Sequence, residues 1–165
     1  MPDLSVDVLG VTLTLDQSSL RSISMSGAYT RSRAAFVPAQ SAAYGSTPAW
    51  MPIVGAQITL EDMNESRGVD ITLSGIVGRS NDGLVSFGVF RDGQLLDQVG
   101  AASISSNSVV VPVNLRWRDT TPLSGEHTYE FRWRMWSGSS FLGSRGDMNF
   151  VANVPSLMTL EEFIF

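Results

Sequence analysis

A period of two runs through this chain, and few folds satisfy it. In "SVVVPVNLRW", residues 108–117, Val109, Val111, Val113, Leu115 and Trp117 fall on one side of an extended strand, opposite Val110, Pro112, Asn114 and Arg116. In "HTYEFRWRMW", residues 127–136, Tyr129, Phe131, Trp133 and Met135 alternate with Thr128, Glu130, Arg132 and Arg134. Both patterns predict strands with one face on an apolar core and the other outward. The two Arg-Trp-Arg triplets therefore turn Trp117 and Trp133 inward and their arginines outward.

Shorter segments repeat the pattern. "GVDITLSGIV" alternates Val69, Ile71 and Leu73, and "LVSFGVF" runs through Arg91-Asp92-Gly93, a hairpin signal, into "QLLDQV". "AQITLED" and "DMNFVANV" read as further strands, with turns at "NESRG", "SNDG", "TTPLSGE" and "SGSS". Many short strands with little helical periodicity predict an all-β chain, an antiparallel β-sandwich or jelly roll. In an immunoglobulin-like sandwich, the alternative, Tyr129 in "SGEHTYEF" would be a tyrosine-corner residue.

The first fifty residues have a different character. "LSVDVLGVTLTL" and "SLRSISMSGAYT" are expected to pair as a ribbon turning at Asp16 to Ser19, followed by an extended connector from Ala34 to Met51. The expected division is an arm over 1–50 and a sandwich over 51–165. The chain ends on Phe163, Ile164 and Phe165, which read as an apolar tail that marks a partner surface.

With 165 residues the chain can bury a substantial core. It has no cysteine, which removes disulfides, thiol nucleophiles and most structural zinc sites. No apolar run is long enough to span a bilayer, and the start lacks a signal-peptide pattern, so no membrane partner is expected. A net charge of −5 disfavours nucleic acid as a partner. All eleven basic residues are arginine, which favours interfaces, although base composition produces the same bias.

No catalytic, cofactor or metal site emerges from the residues. His127 is the single histidine and lacks a G-x-S-x-G partner, so it reads as a surface residue after a turn. Asp82, Asp92, Asp119 and the Glu61, Asp62, Glu65 group lack calcium-loop spacing and read as turn caps. Arg145-Gly146-Asp147 spells an integrin tripeptide but reads as a turn, and Asn64-Glu65-Ser66 is a glycosylation acceptor only on a secretory route. A basic stripe of Arg116, Arg118, Arg132 and Arg134 would bind single strands only with aromatics on the same face, and the alternation leaves only Trp136 there. An enzyme is not expected.

From about residue 52, "GVDITLSGIV", "VSFGVFRDGQLL", "VVVPVNLRWRDTTPLSGEHTYEFRW" and "MNFVANV" resemble, in order, the β-sandwich domains of tailed-phage structural proteins. Such domains are similar in architecture to the trimeric jelly rolls of the tumour-necrosis-factor and complement-head type. The resemblance covers about two thirds of the chain and rests on strand order and phrases such as "RDG". It implies a homotrimeric capsid decoration (cement) protein on the virion surface, with the major capsid protein as partner. The alternative it implies is a fibre head that recognises a cell-surface glycan or protein.

Overall fold

The computed structural model describes residues 4–8, 11–15, 29–43, 48–63, 67–79, 83–104, 110–121, 124–143 and 155–164. The strands in chain order are β1 (Leu4–Val8), β2 (Val11–Leu15), β3 (Tyr29–Val37), β4 (Gln40–Ala43), β5 (Met51–Met63) and β6 (Arg67–Arg79). They continue as β7 (Gly83–Arg91), β8 (Gln94–Ile104), β9 (Val111–Asp119), β10 (Gly125–Met135), β11 (Ser139–Leu142) and β12 (Ser156–Ile164).

Five antiparallel pairings nest inside one another: β7 with β8, β6 with β9, β5 with β10, β4 with β11, and β3 with β12. Nested pairs of this kind make one long ribbon folded at its tip. The tip is the expected turn, where Asp92 and Gly93 both take positive φ, 50° and 77°. Two consecutive left-handed residues match the twist of a two-residue hairpin, and Asp-Gly is a favoured pair for it. Rolling the ribbon sets β6 beside β12 and β7 beside β10. One sheet then reads β5-β10-β7-β8, and the other carries β3-β12-β6 with β9 on the far side of β6. Beyond β12, the long β6 also pairs with β11, which pairs with β4. This is a jelly roll. An immunoglobulin sandwich, with sheets ABED and CFG, lacks the nesting.

The alternation in sequence becomes the core. Val85, Phe87 and Val89 of β7 and Tyr129, Phe131, Trp133 and Met135 of β10 are buried against Val69, Ile71 and Leu73 of β6 and Met158 and Leu160 of β12. On β9, Val113 and Leu115 are buried while Pro112, Asn114, Arg116 and Arg118 face outward. Trp117 is half-buried rather than largely buried as its pattern predicts, because among the described residues β9 pairs only with β6 and forms an edge of the sheet.

Both ends of the chain depart from the sequence reading. The apolar tail is β12, which lies between β3 and β6. Its alternation is masked by Glu162, a carboxylate at a core-facing position after Met158 and Leu160. The expected connector is not separate from the sandwich: β3 and β4 belong to the six-stranded sheet, and Val37 is part of the core. Strands of the sandwich thus begin well before residue 51. The first segment of the expected ribbon is itself a hairpin that pairs Leu4–Val8 with Val11–Leu15; the turn expected at Asp16 to Ser19 lies outside the described residues. The strand expected at "DMNFVANV" lies outside them too.

Candidate functional site

The outer face of the β5-β10-β7-β8 sheet carries an ordered stack of arginine and aromatic side chains. Alternation along β10 turns Glu130, Arg132 and Arg134 outward, and Trp136 follows where the strand ends. In the β7 ladder, Phe90 lies opposite Glu130, Gly88 opposite Arg132 and Ser86 opposite Arg134. Trp50 precedes β5, whose Met51 pairs with Trp133, and so reaches the same face.

The Arg134 guanidinium sits between two indoles, 4.5 Å from the Trp50 centroid and 4.2 Å from that of Trp136. Trp50 meets Phe90 edge to face at 5.6 Å, and Arg132 covers Phe90 at 4.3 Å while pairing with Glu130. Each cation–π contact is worth roughly 0.5–1 kcal/mol where exposed and more when desolvated. Hydrogen bonds fix the remaining freedom. Trp136 Nε1 donates to Ser86 Oγ at 2.8 Å, and Arg134 Nη2 donates to Gln98 Oε1 at 3.1 Å.

Gly88 forms the floor of this stack. A Cβ there would stand 3.0 Å from both the Trp50 ring and Leu95 Cδ1, so a larger residue would have to shift the indole or Leu95 by a few tenths of an ångström. Leu95 and Trp136 remain exposed at 45% and 41%. Glu130 neutralises Arg132, whereas Arg134 has no carboxylate partner among the described residues. The face therefore offers a rigid, partly exposed aromatic surface with one uncompensated positive charge. Tryptophan and arginine in this setting are the residue types that dominate binding energy at protein interfaces.

The other two triplet arginines lie on the opposite side of the sandwich. Arg116 and Arg118 both donate to Asp70 of β6, with Arg118 Nε at 2.7 Å and Arg116 Nη2 at 3.0 Å from its oxygens. The hydrogen bond from Arg118 is the main cause that holds the Asp70 carboxyl below its usual range; burial opposes it. The four arginines cannot form one stripe, because β9 and β10 belong to different sheets. Sequence reasoning saw Trp136 on the arginine face but missed Phe90 and Trp50. The alternation of Ser86, Gly88 and Phe90 carried the signal for Phe90; Trp50 left none, since its place depends on how the chain enters β5.

At one end of the core, two buried carboxylates tie elements together. Asp119 is not merely a turn cap: its Oδ2 accepts from Arg91 Nη1 at 2.5 Å and from the Tyr129 hydroxyl at 2.9 Å. Its Oδ1 caps the Thr121 N–H at 2.9 Å. Burial first, and then the Asp119 charge, push the Tyr129 phenol well above its ordinary value. Glu162 is fully buried and takes Arg31 from β3, at 2.5 and 2.8 Å, and Arg67 from β6, at 3.1 Å. A tyrosine corner would send the hydroxyl to backbone; here it goes to a side chain.

At the ribbon tip, Asp92 Oδ1 accepts from the Thr128 N–H at 2.9 Å and its Oδ2 meets His127 Nδ1 at 2.7 Å. His127 Nε2 faces the Ser124 carbonyl at 3.2 Å, so this histidine braces the hairpin. Burial raises the Asp92 carboxyl, but the bond from Thr128 and the neighbouring His127 outweigh it and leave it lowered. Glu61 is exposed, and its backbone carbonyl accepts from Arg31 at 2.9 Å. Asp82, Glu65, Asn64-Glu65-Ser66 and Arg145-Gly146-Asp147 lie outside the described residues. Among the described residues no three His, Cys, Asp or Glu side chains gather as metal ligands would.

The chain is an antiparallel jelly roll with an aromatic and arginine stack on the outer face of one sheet. No family model and no curated protein matches it. Among solved structures it is similar to dimeric latent PorU from Porphyromonas gingivalis, at TM-score 0.48 and 11% identity over 88% of this chain and 14% of that one. It is similar to the Gx strain of infectious bursal disease virus, at TM-score 0.43 and 10% identity over 97% of this chain and 46% of that one. A third likeness is the C-terminal CBM6 of LamC from Zobellia galactanivorans, at TM-score 0.34 and 14% identity over 78% and 99% of the two chains. The chain thus spans less than half the length of the first two.

Proposed function

We propose that this chain is a structural virion protein, a homotrimeric capsid decoration protein that holds the major capsid protein through the outer face of its β5-β10-β7-β8 sheet. One observation carries the reading: Trp50, Arg134 and Trp136 form a preassembled stack on a sheet face, with the Trp136 indole 41% exposed. Its side chains are already held in their contacts, so little rotamer entropy is lost when a partner docks. The jelly-roll order also agrees with the architecture that the tailed-phage resemblance implies.

Cosedimentation with undecorated capsids tests the reading. Trp136→Ala and Arg134→Ala should each weaken binding about 30-fold or more, the effect of losing a hot-spot residue worth roughly 2 kcal/mol. The β-type circular dichroism should not change, because both side chains lie outside the core. Undiminished capsid binding by both variants would reject this face as the attachment surface.

The exposed indole beside Gln98 and Arg134 favours a second reading, a fibre head whose Trp136 stacks on a sugar ring of a cell-surface glycan. Copy number separates the two, since a decoration protein covers the shell in many copies and a fibre head is sparse. Quantitative densitometry of virions measures it.

A further inference from the structure

Among the described side chains, the half-buried arginines are Arg31, Arg67, Arg91, Arg132 and Arg134. Arg31 and Arg67 share Glu162, Arg91 pairs with Asp119, and Arg132 pairs with Glu130. A guanidinium drawn partly out of water loses hydration, and a carboxylate beside it compensates that loss. Arg134 is drawn out of water in the same way, yet no carboxylate among the described residues reaches it.

The geometry around Arg134 shows from which side a carboxylate can come. The Trp50 and Trp136 rings take the two faces of the guanidinium, and neither ring accepts its in-plane N–H groups. Nη2 gives one hydrogen to the neutral Gln98 carboxamide at 3.1 Å, and Nε is buried without an acceptor. Nη1 has no acceptor among the described residues and keeps access to solvent. An acceptor approaching end-on, in the guanidinium plane, therefore meets Nη1 and the second hydrogen of Nη2 together. That is the two-pronged geometry a carboxylate fits. A neutral acceptor would fill the hydrogen bonds and leave the charge unbalanced.

We propose that the major capsid protein sets an Asp or Glu side chain end-on against Arg134, between Trp50 and Trp136, as the counter-charge this chain does not supply. The rest of the face favours a protein acid over a sugar acid. Leu95 is 45% exposed and meets the same Gly88 position as the Trp50 ring. An exposed aliphatic side chain beside an aromatic anchor suits the apolar centre of a protein interface. Gln98 is the neutral amide at the guanidinium, few groups for the many hydroxyls of a glycan. A desolvated charge pair at such a centre also fixes the register in which the two partners dock.

The inference rests on the capsid-binding reading of this face, and its test separates the two. The chain contains no lysine, so Arg134→Lys sets a single side-chain amine on the stack. Carbodiimide condenses an amine with a touching carboxylate to an amide and takes up the water as its urea. On undecorated capsids the expected product is a cross-link from position 134 to an Asp or Glu of the major capsid protein, located by mass spectrometry. Arg33→Lys, at an exposed position of β3, should not give it. A bound Arg134→Lys chain without that cross-link, or a cross-link to another copy of this chain, would overturn the proposal. Arg134→Gln is a second measurement, independent of the lysine variant. It should bind capsids about 10-fold or more weakly and lose much of the salt dependence of the unaltered chain. If Trp136→Ala weakens binding while Arg134→Gln keeps the original affinity and salt slope, the face stands and the carboxylate falls. Undiminished binding by both variants rejects the face itself. Capture by an immobilised polyuronate, lost in Arg134→Gln and without the capsid cross-link, would assign the site to an acidic glycan and overturn the protein partner.

Discussion

Asp119 offers a quantitative test of how the two sheets are tied. It stands at the end of β9 with 1% exposure, and both donors to its Oδ2, Arg91 and Tyr129, come from the opposite sheet. Tyr129→Phe deletes one hydrogen bond to a charged acceptor and keeps the ring in place, so it should cost about 1.5–3 kcal/mol. Asp119→Ala removes the acceptor of both donors and leaves the Arg91 cation, 19% exposed at its side chain, without its carboxylate. Breaking a buried pair from one side costs roughly 3–5 kcal/mol. The double variant should lose less than the sum by about 1–2 kcal/mol, because the tyrosine bond can be lost only once. Urea midpoints at one fixed protein concentration, with slopes compared, give all three values. Strict additivity, or a cost below about 1 kcal/mol for Asp119→Ala, would mean that the tie contributes little. The phenol supplies a second readout. Its value is raised by burial and then by the Asp119 charge, so the stability it contributes is complete below the ordinary tyrosine value near ~10 and is lost as pH rises beyond it. Absorbance titration should show a tyrosine ionising well above the ordinary value, and earlier in Asp119→Ala.

Three further outcomes follow from local geometry. Gly93→Val places a β-branched residue at φ 77° in the ribbon tip and should cost about 1–2 kcal/mol or more by urea melting, whereas an equal change at an exposed β-strand position should not. Gly88→Val should push the Trp50 indole off the sheet, with a red shift in tryptophan emission and near-native far-ultraviolet circular dichroism; unchanged emission would show that the indole has room. Asp70 is held low chiefly by the Arg118 bond, so its contribution to stability is full above the ordinary carboxylate value near ~3.9 and fades as pH falls below it. Asp70→Asn should flatten that acid limb in pH-dependent melting, and an unaltered limb would assign it to other carboxylates.

The parts of the fold that were legible in sequence are those where one face is purely apolar. β9, β10 and β6 announce themselves through strict alternation, and the Arg91-Asp92-Gly93 turn through residues that tolerate left-handed backbone. Two of the strands that escaped notice, β3 and β12, each carry a charge on the core side: Arg31 on β3 and Glu162 on β12. Either residue alone contradicts a buried face; only their meeting across the ladder explains both. The aromatic and arginine face was half legible for a different reason. Alternation fixes which side Arg132 and Arg134 take, but the arrival of Trp50 is a tertiary event with no local pattern.

That charged pair also decides where the chain can be cut. Removing residues 1–28 takes away the ribbon and leaves β3 on β12. Removing residues 1–48 takes β3 and β4 as well, and with them the two Arg31 bonds to the fully buried Glu162 and the buried Val37. Glu162 would keep Arg67, at 3.1 Å, so the loss stays below the roughly 3–5 kcal/mol of a fully uncompensated buried charge. Losing a buried valine adds ~1.5–3 kcal/mol, and β12 loses its whole β3 ladder. Against a typical domain stability of roughly 5–15 kcal/mol, that is enough to unfold the sandwich or bring it close. Circular dichroism melting should therefore show a cooperative, near-native transition for the shorter deletion and a broad or absent one for the longer. Equal melting of the two would mean that β3 is dispensable, and that the Arg31–Glu162 contact contributes nothing net to the fold.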